Sequence, residues 1–187
     1  MDTSLFDFIH HDLANPFLDA ILPVYREKTT WIPLYVVMIV LLVRQYGWQR
    51  TGWLLLCIAL TLAVADQLAA TIIKPWVGRL RPCAGTDAVR ELVNCGGRYS
   101  FPSNHATNHF ALATVLGLTW LRDKASGWRI AIYGWAASIA LAQVYVGKHW
   151  PGDILAGALL GALLAWGGVL LYRRFVPVGQ QIPENHN

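Results

Sequence analysis

The sequence predicts an all-α integral-membrane helical bundle, with five spans after an N-terminal amphipathic or partly inserted helix. Three observations lead there. Of 187 residues, 55% are hydrophobic and only 14% charged, where a soluble domain carries about 25% charged residues. Apolar runs recur at lengths suited to a bilayer core, which needs about 20 residues per helix. Trp31, Trp48, Trp53, Trp120 and Trp128 fall near the ends of those runs, where aromatic rings suit the headgroup layer.

The N-terminal stretch, 1–28, has Phe6, Ile9, Leu13, Phe17 and Ile21 at helical spacing, as expected of a helix lying along the outer surface. Pro16 and Pro23 limit its continuity. Asp2, Asp7 and Asp12 stand where a cleavable signal wants lysine or arginine, so none is expected. Spans follow at about Thr30–Val43, Gly52–Ile73, Ala106–Leu121, Trp128–Val146 and Ile154–Tyr172. The first crosses fully only if it extends through Gln45 and Tyr46. After Pro177 the chain reads as a polar tail, 177–187. There is no internal repeat, and 1–187 reads as a single membrane domain.

Charge placement orients the bundle. Arg44 and Arg50, Arg122, Lys124 and Arg129, and Arg173 and Arg174 occupy the turns of one side. Short basic turns face the cytoplasm. The connections 74–104 and 147–153 then face outward, together with residues 1–28, whose acidic residues outnumber Arg26 and Lys28. The expected location is a bacterial inner membrane, and no nucleic-acid partner is expected. Cys83 and Cys95 share the outward connection, an oxidising place in an envelope protein, and a disulfide between them is expected. Cys57 lies within a span as a core residue.

The outward connections hold most of the reactive groups. The first opens with Lys74, Arg81 and Pro82 and closes on "FPSNHAT", placing Ser103 and His105 at the start of the third span. The second carries His149 and Asp153, with Pro151 suited to a first helical turn. A helix start with free N–H groups binds phosphate. Lys74 and Arg81 add positive charge, and a guanidinium forks onto two oxygens. Two histidines permit attack on phosphorus by one and proton donation to the leaving oxygen by the other. Asp153 can orient the His149 ring.

These stretches resemble the phosphatidic acid phosphatase type 2 superfamily, whose three-part signature is matched in order by Lys74…Arg81-Pro82, Pro102-Ser103-Asn104-His105 and His149…Asp153. The resemblance runs from about Asp66 to Leu160. It implies a six-helix bundle and metal-independent, cofactor-free dephosphorylation through a phosphohistidine. Within that reading, His149 is the nucleophile, Asp153 its orienter and His105 the acid. Lys74, Arg81, Ser103 and the Asn104 amide then form the phosphate cradle. Undecaprenyl pyrophosphate is the first substrate expected, with phosphatidylglycerol phosphate, phosphatidate and lipid A phosphates as alternatives. Two of the motifs depart from the family pattern. Asn104 stands where glycine is usual, and Ala142-Gln143 replaces Ser-Arg, removing a guanidinium. Lys148 and Arg79 are the candidate substitutes, with Gln143 keeping a hydrogen-bond donor.

Plainer readings stand beside these. Ser103 is a favoured N-cap in any case, and Lys74 and Arg81 are the residue types that anchor span ends. His109, four residues from His105, reads as a packed histidine within the bundle. Asp66, inside a span where carboxylates are paired or functional, would support the site from below. Arg90 and Arg98 read first as solvated loop charge, with contact to a larger headgroup as the alternative. Two other functions fit: a metal-dependent hydrolase using His105, His109, His149 and Asp153, and a lipid-phosphate binder that lost turnover with the arginine at 143. Haloperoxidases of the same superfamily are soluble, unlike this composition.

Overall fold

The chain leaves an unusual amount of apolar side chain uncovered, and the pattern of that exposure explains the architecture. In the computed structural model, which describes residues 1–85 and 89–183, every regular element is helical. The longest helices run α3 (Ile32–Gln67), α6 (Asn104–Leu118), α7 (Ser126–Tyr145) and α8 (Pro151–Phe175). Before them come α1 (Asp2–Asp7), continued by a π-helical turn through Asp12, and α2 (Pro16–Tyr25). Between α3 and α6 lie the short α4 (Lys74–Val77) and α5 (Pro82–Gly85).

On α8 the stripe Leu155, Leu159, Leu163, Trp166 and Leu170 is exposed, while Gly157, Gly161, Ala165, Val169 and Tyr172 are buried. Val36, Val37, Val40 and Leu41 do the same on α3. Such outward apolar stripes are unfavourable in water and expected against lipid tails. The bundle is membrane-spanning.

Helix α3 contains two of the expected spans. Its backbone breaks at Gly47, where φ is +79° and ψ 168°, a region open almost only to glycine. The chain folds back there, so Tyr35, Met38 and Leu42 of one limb face the same space as Leu55, Leu62 and Asp66 of the other. The connection is one residue rather than the turn expected from Arg44 and Arg50. All the basic turns gather at this end: Trp120 donates to Gln45 and Arg173 to the Leu118 carbonyl.

Two expectations about the termini change. The segment after Pro177 is not a free polar tail: Ile182 inserts into the cluster of Leu42, Leu54, Val115 and Val169, and its N–H donates to Tyr172. The last four positions, 184–187, lie outside the described residues. The N-terminal helices, although Phe17 and Ile21 stay exposed, do not simply lie on a surface. Phe6 is buried against Trp150, Ala106 and Ile154, because its ring fills the space above the starts of α6 and α8.

Helices α6 and α8 make the most extensive contact in the bundle. A Cβ on Gly157 would sit 2.6 Å from the Ser103 carbonyl oxygen, and one on Gly161 2.1 Å from that of Thr107. The four-residue spacing of these glycines permits this backbone approach. Gly161→Ala should therefore force the helices apart and destabilise the protein by about 1–3 kcal/mol, read as a lower Tm in detergent. Gly167→Ala, where a Cβ meets nothing within 4 Å, should leave Tm unchanged.

Candidate active site

The close approach of α6 and α8 sets their N-termini side by side. The Ser103 N–H donates to the Asp153 carbonyl at 3.0 Å, joining the two helix starts directly. Ser103 is fully buried and accepts from the Ala106 N–H at 3.4 Å, a long N-cap bond. Asp153 is equally buried. Its carboxylate accepts from the Trp150 N–H at 2.8 Å and from Arg79 at 2.9 Å, as suits an acid in the first turn of a helix.

His149 precedes α8 in a turn made possible by Gly147, whose φ is +77°. A Cβ there would meet Val89 at 2.5 Å. The imidazole is 2% exposed, with Nδ1 3.6 Å from Asp153 Oδ2, just beyond hydrogen-bonding reach. Nδ1 has no other partner. Burial lowers the His149 pKa to about 4, with Asp153 opposing and the Lys74 and Arg81 cations reinforcing the shift. The ring is therefore neutral at physiological pH and sits among cations. His105, half-buried in the first turn of α6, lies within electrostatic range of His149, Lys148 and Arg26.

The cations are held from several directions. Lys74 donates to the Ser100 and Pro102 carbonyls at 3.0 and 2.5 Å. Arg81 donates to the Tyr99 and Cys95 carbonyls at 3.1 and 2.6 Å. Lys148 and Arg81 both lie against Gly96, where a Cβ would stand 3.6 Å from the ammonium and 3.8 Å from the guanidinium. Burial, then Arg26 and Arg81, push the Lys148 pKa down to about 8. The Arg81 pKa is lowered by burial first and then by Arg26.

Several residues land elsewhere than the sequence alone suggested. Arg79 is turned away from substitute-cation duty: it binds Asp153 and Asp2, and Asp2 in turn accepts from the Gly152 N–H. Arg90, though partly exposed, is not a free loop charge. It pairs with Asp19 at 2.7 Å and donates to the His10 carbonyl, tying its loop to the N-terminal segment. Asp66 accepts from the side-chain amides of Asn104 and Asn108 at 2.8 and 3.1 Å. His109 bonds the His105 carbonyl through Nδ1 and packs on Trp135, so it serves the bundle interior. Among the described residues, no three of His, Cys, Asp and Glu gather as a metal-binding group.

Sequence reasoning missed Arg26, counted only in the charge balance of the N-terminal stretch 1–28. Its side chain is buried and donates to Gln143 Oε1 at 2.9 Å. The signal that could have found it was the vacant arginine position at 143, which left a basic residue to be supplied from outside the motifs.

Beside this polar end runs an apolar groove of about 460 Å³ between the two limbs of α3 and the face of α6. Leu42, Leu112 and Leu116 line its deep part, and Asp66, Asn104 and His105 its upper end. Such a groove can take a lipid tail while leaving a polar head among the cations.

Residues 50–177 match the model of the PAP2 superfamily. The chain belongs to the PAP2 superfamily. It is a membrane lipid phosphatase, a phosphoric ester hydrolase. Over 171 residues it is 33% identical to a lipid A 4'-phosphatase of Bacteroides thetaiotaomicron, covering 89% of this chain and 74% of that one. It is 28% identical to an undecaprenyl-diphosphatase of Sulfolobus acidocaldarius, covering 76% and 63% respectively. The crystal structure of a transmembrane PAP2-type phosphatidylglycerolphosphate phosphatase from Bacillus subtilis shares the fold, with a TM-score of 0.67 at 22% identity over 93% of this chain and 85% of that one.

Within this PAP2 phosphatase, Cys83 and Cys95 are joined by a disulfide in the loop that carries Arg81. Denatured, unreduced protein should take up one equivalent of alkylating agent, at Cys57, and reduced protein three. Equal uptake in both samples would show the bridge to be absent.

Proposed function

We propose that this phosphatase removes a phosphate monoester from a lipid A-type saccharolipid at the extracytoplasmic face of a bacterial inner membrane. The observation that carries this reading is the polar cluster beside His105. Asn104 and Asn108 turn their NH₂ groups to the Asp66 carboxylate, which can only accept. Their Oδ1 atoms are left buried without a partner. Such acceptors cost about 1–3 kcal/mol each until a donor arrives. A sugar leaving group brings hydroxyl or amide donors to that position, whereas the polyprenyl phosphate expelled from a polyprenyl pyrophosphate presents only acceptor oxygens when ionised. The 33% identity to a lipid A 4'-phosphatase supports the same choice, so the saccharolipid displaces undecaprenyl pyrophosphate as the first substrate. The gathering of basic turns at the opposite end supports the outward site.

The chemistry follows from the site. Lys74, Arg81, Ser103 and the Asn104 N–H hold the phosphoryl oxygens. Asp153 faces Nδ1 of His149, leaving Nε2 to attack phosphorus. As the N–P bond forms, the bond from phosphorus to the sugar oxygen breaks, and His105, protonated once the bound phosphoryl anion offsets the surrounding cations, delivers its proton to that oxygen. Water then attacks the phosphohistidine with His105 as base, releasing inorganic phosphate and restoring both rings.

Phosphate release by the detergent-solubilised protein, assayed on lipid A, undecaprenyl pyrophosphate, phosphatidate and phosphatidylglycerol phosphate, tests the reading. Lipid A should give the highest kcat/KM, and His149→Ala should abolish turnover of all four. Asn108→Leu should lower kcat/KM for lipid A by about tenfold, roughly one hydrogen bond, and spare the undecaprenyl substrate. A preference for undecaprenyl pyrophosphate that survives Asn108→Leu would overturn the substrate assignment.

The pH dependence is a separate check. A pKa near 4 keeps His149 neutral and nucleophilic well below the ordinary histidine value of about 6.5. Once the ionisation of the substrate phosphate is corrected for, initial kcat/KM should fall on the acid side through about pH 4. An acid limb near pH 6.5 would contradict the neutral buried ring. Stability has the same sign, being lost as pH falls from about 6.5 through about 4, because the unfolded chain binds the proton more readily.

A further inference from the structure

Resting on the phosphatase reading, we propose that Arg26, from the N-terminal segment, is a phosphate-binding catalytic residue that takes the place of the arginine missing at position 143. Helix α7 places Gln143 in its last turn, and the His149 and Lys148 N–H groups both donate to the Gln143 carbonyl. Position 143 is thus the backbone anchor of the nucleophile's loop. A glutamine there extends an amide in place of a charge. The charge arrives from another element: Arg26, 5% exposed at the end of α2, donates through Nη1 to Gln143 Oε1 at 2.9 Å.

Three features show that this contact is more than a structural tether. A guanidinium only donates, so Gln143 must present Oε1 to it and direct Nε2 elsewhere. That Nε2 is buried with no partner, and so is Arg26 Nε. Two buried donors, one of them charged, are then left unsatisfied at the residue that anchors the His149 loop. Second, Arg26 lies within electrostatic range of Arg81, Lys148 and His105. Glu27, bonded to the other arm of the Arg26 fork, is a partly exposed counter-charge beside Lys148 as well. Burying several cations together is unfavourable without a compensating anion. Third, the only ligand chemistry that satisfies converging cations and unpaired donors together is a multiply charged oxyanion. The phosphoryl group of the substrate is that anion, with Arg26 Nε and Gln143 Nε2 as two of its donors.

The geometry also assigns the first helices a role. Arg26 is held at the end of α2 by Trp31, which donates to the neighbouring Tyr25 carbonyl, and by Tyr25, whose hydroxyl bonds Ser138 on α7. The N-terminal segment thus delivers part of the phosphate site.

Full-length protein in detergent, with kcat/KM on lipid A and inhibition by orthovanadate as readouts, tests this. Arg26→Ala should lower kcat/KM by about 10²-fold or more, the loss typical of a transition-state oxyanion donor, and weaken vanadate inhibition while leaving Tm near that of the wild type. In Arg26→Ala/Gln143→Arg the guanidinium returns from the motif position, and at least tenfold of the lost kcat/KM should be recovered. Should Arg26→Ala fail to fold, Arg26→Gln, which keeps a donor toward Gln143 without the charge, reads the same loss. Unchanged kcat/KM and vanadate affinity in the Arg26 variant would overturn the assignment. So would a loss that the double variant does not relieve at all. If wild-type protein hydrolyses no lipid phosphate, the phosphatase reading fails, and vanadate binding to wild type and Arg26→Ala still decides whether Arg26 contacts the anion.

Discussion

The site depends on the contact between the backbones of α6 and α8. Gly157 and Gly161 remove the two Cβ atoms that would collide with the carbonyl oxygens of Ser103 and Thr107. The helices meet without intervening side chains, and their N-termini come into register. The Ser103 N–H then reaches the Asp153 carbonyl. With one helix start positioned against the other, the motifs around residues 103 and 149 become neighbours. Dispersion packing of this kind is what membrane helices have to work with, because lipid tails supply no hydrophobic drive to bring them together.

Around that contact the protein assembles an excess of buried positive charge. Carbonyl oxygens soften it: Lys74 and Arg81 each hold two of them. Asp153 binds Arg79 and the Trp150 N–H and faces the His149 ring. Asp2 and Asp19, far off in sequence, fasten Arg79 and Arg90 outside the centre. The carboxylates are thus spent on positioning, and the cations facing the histidines are left for an anion. Burial keeps His149 neutral in the first place, and the same division reinforces it, since the Lys74 and Arg81 cations disfavour a further proton.

The apolar groove completes the arrangement. A lipid phosphate must keep its tails among hydrocarbon and its charge near water, so a productive site has to sit where the two meet. Here the groove between the limbs of α3 ends at Asp66, Asn104 and His105. The side chain at 104, unusual for its family, is one end of the carboxamide cluster that touches Asp66. Where the family usually has no side chain, the structure thus has a polar lining at the upper end of the groove.

The membrane class, the spans and the two polar connections were legible in the sequence, since hydropathy and basic-turn placement are local properties read one segment at a time. The motif histidines and cations were legible as residue types at fixed spacing, and the structure brings Lys74, Arg81 and His149 within electrostatic range of one another. Contacts between segments with no shared pattern were not legible. Nothing local marks Arg26 as the partner of Gln143, Asp2 as the partner of Arg79 or Asp19 as the partner of Arg90. Ile182 lay hidden in an apparently polar tail for the same reason. Such pairs are separated by 71 to 117 positions or, for Ile182, depend on a cluster drawn from α3, α6 and α8. Sequence alone determined a lipid-embedded helical bundle with its motif histidines and cations gathered in two polar connections. Only the tertiary structure decided which cation faces the glutamine and which carboxylate restrains which arginine, because those choices depend on where helices cross.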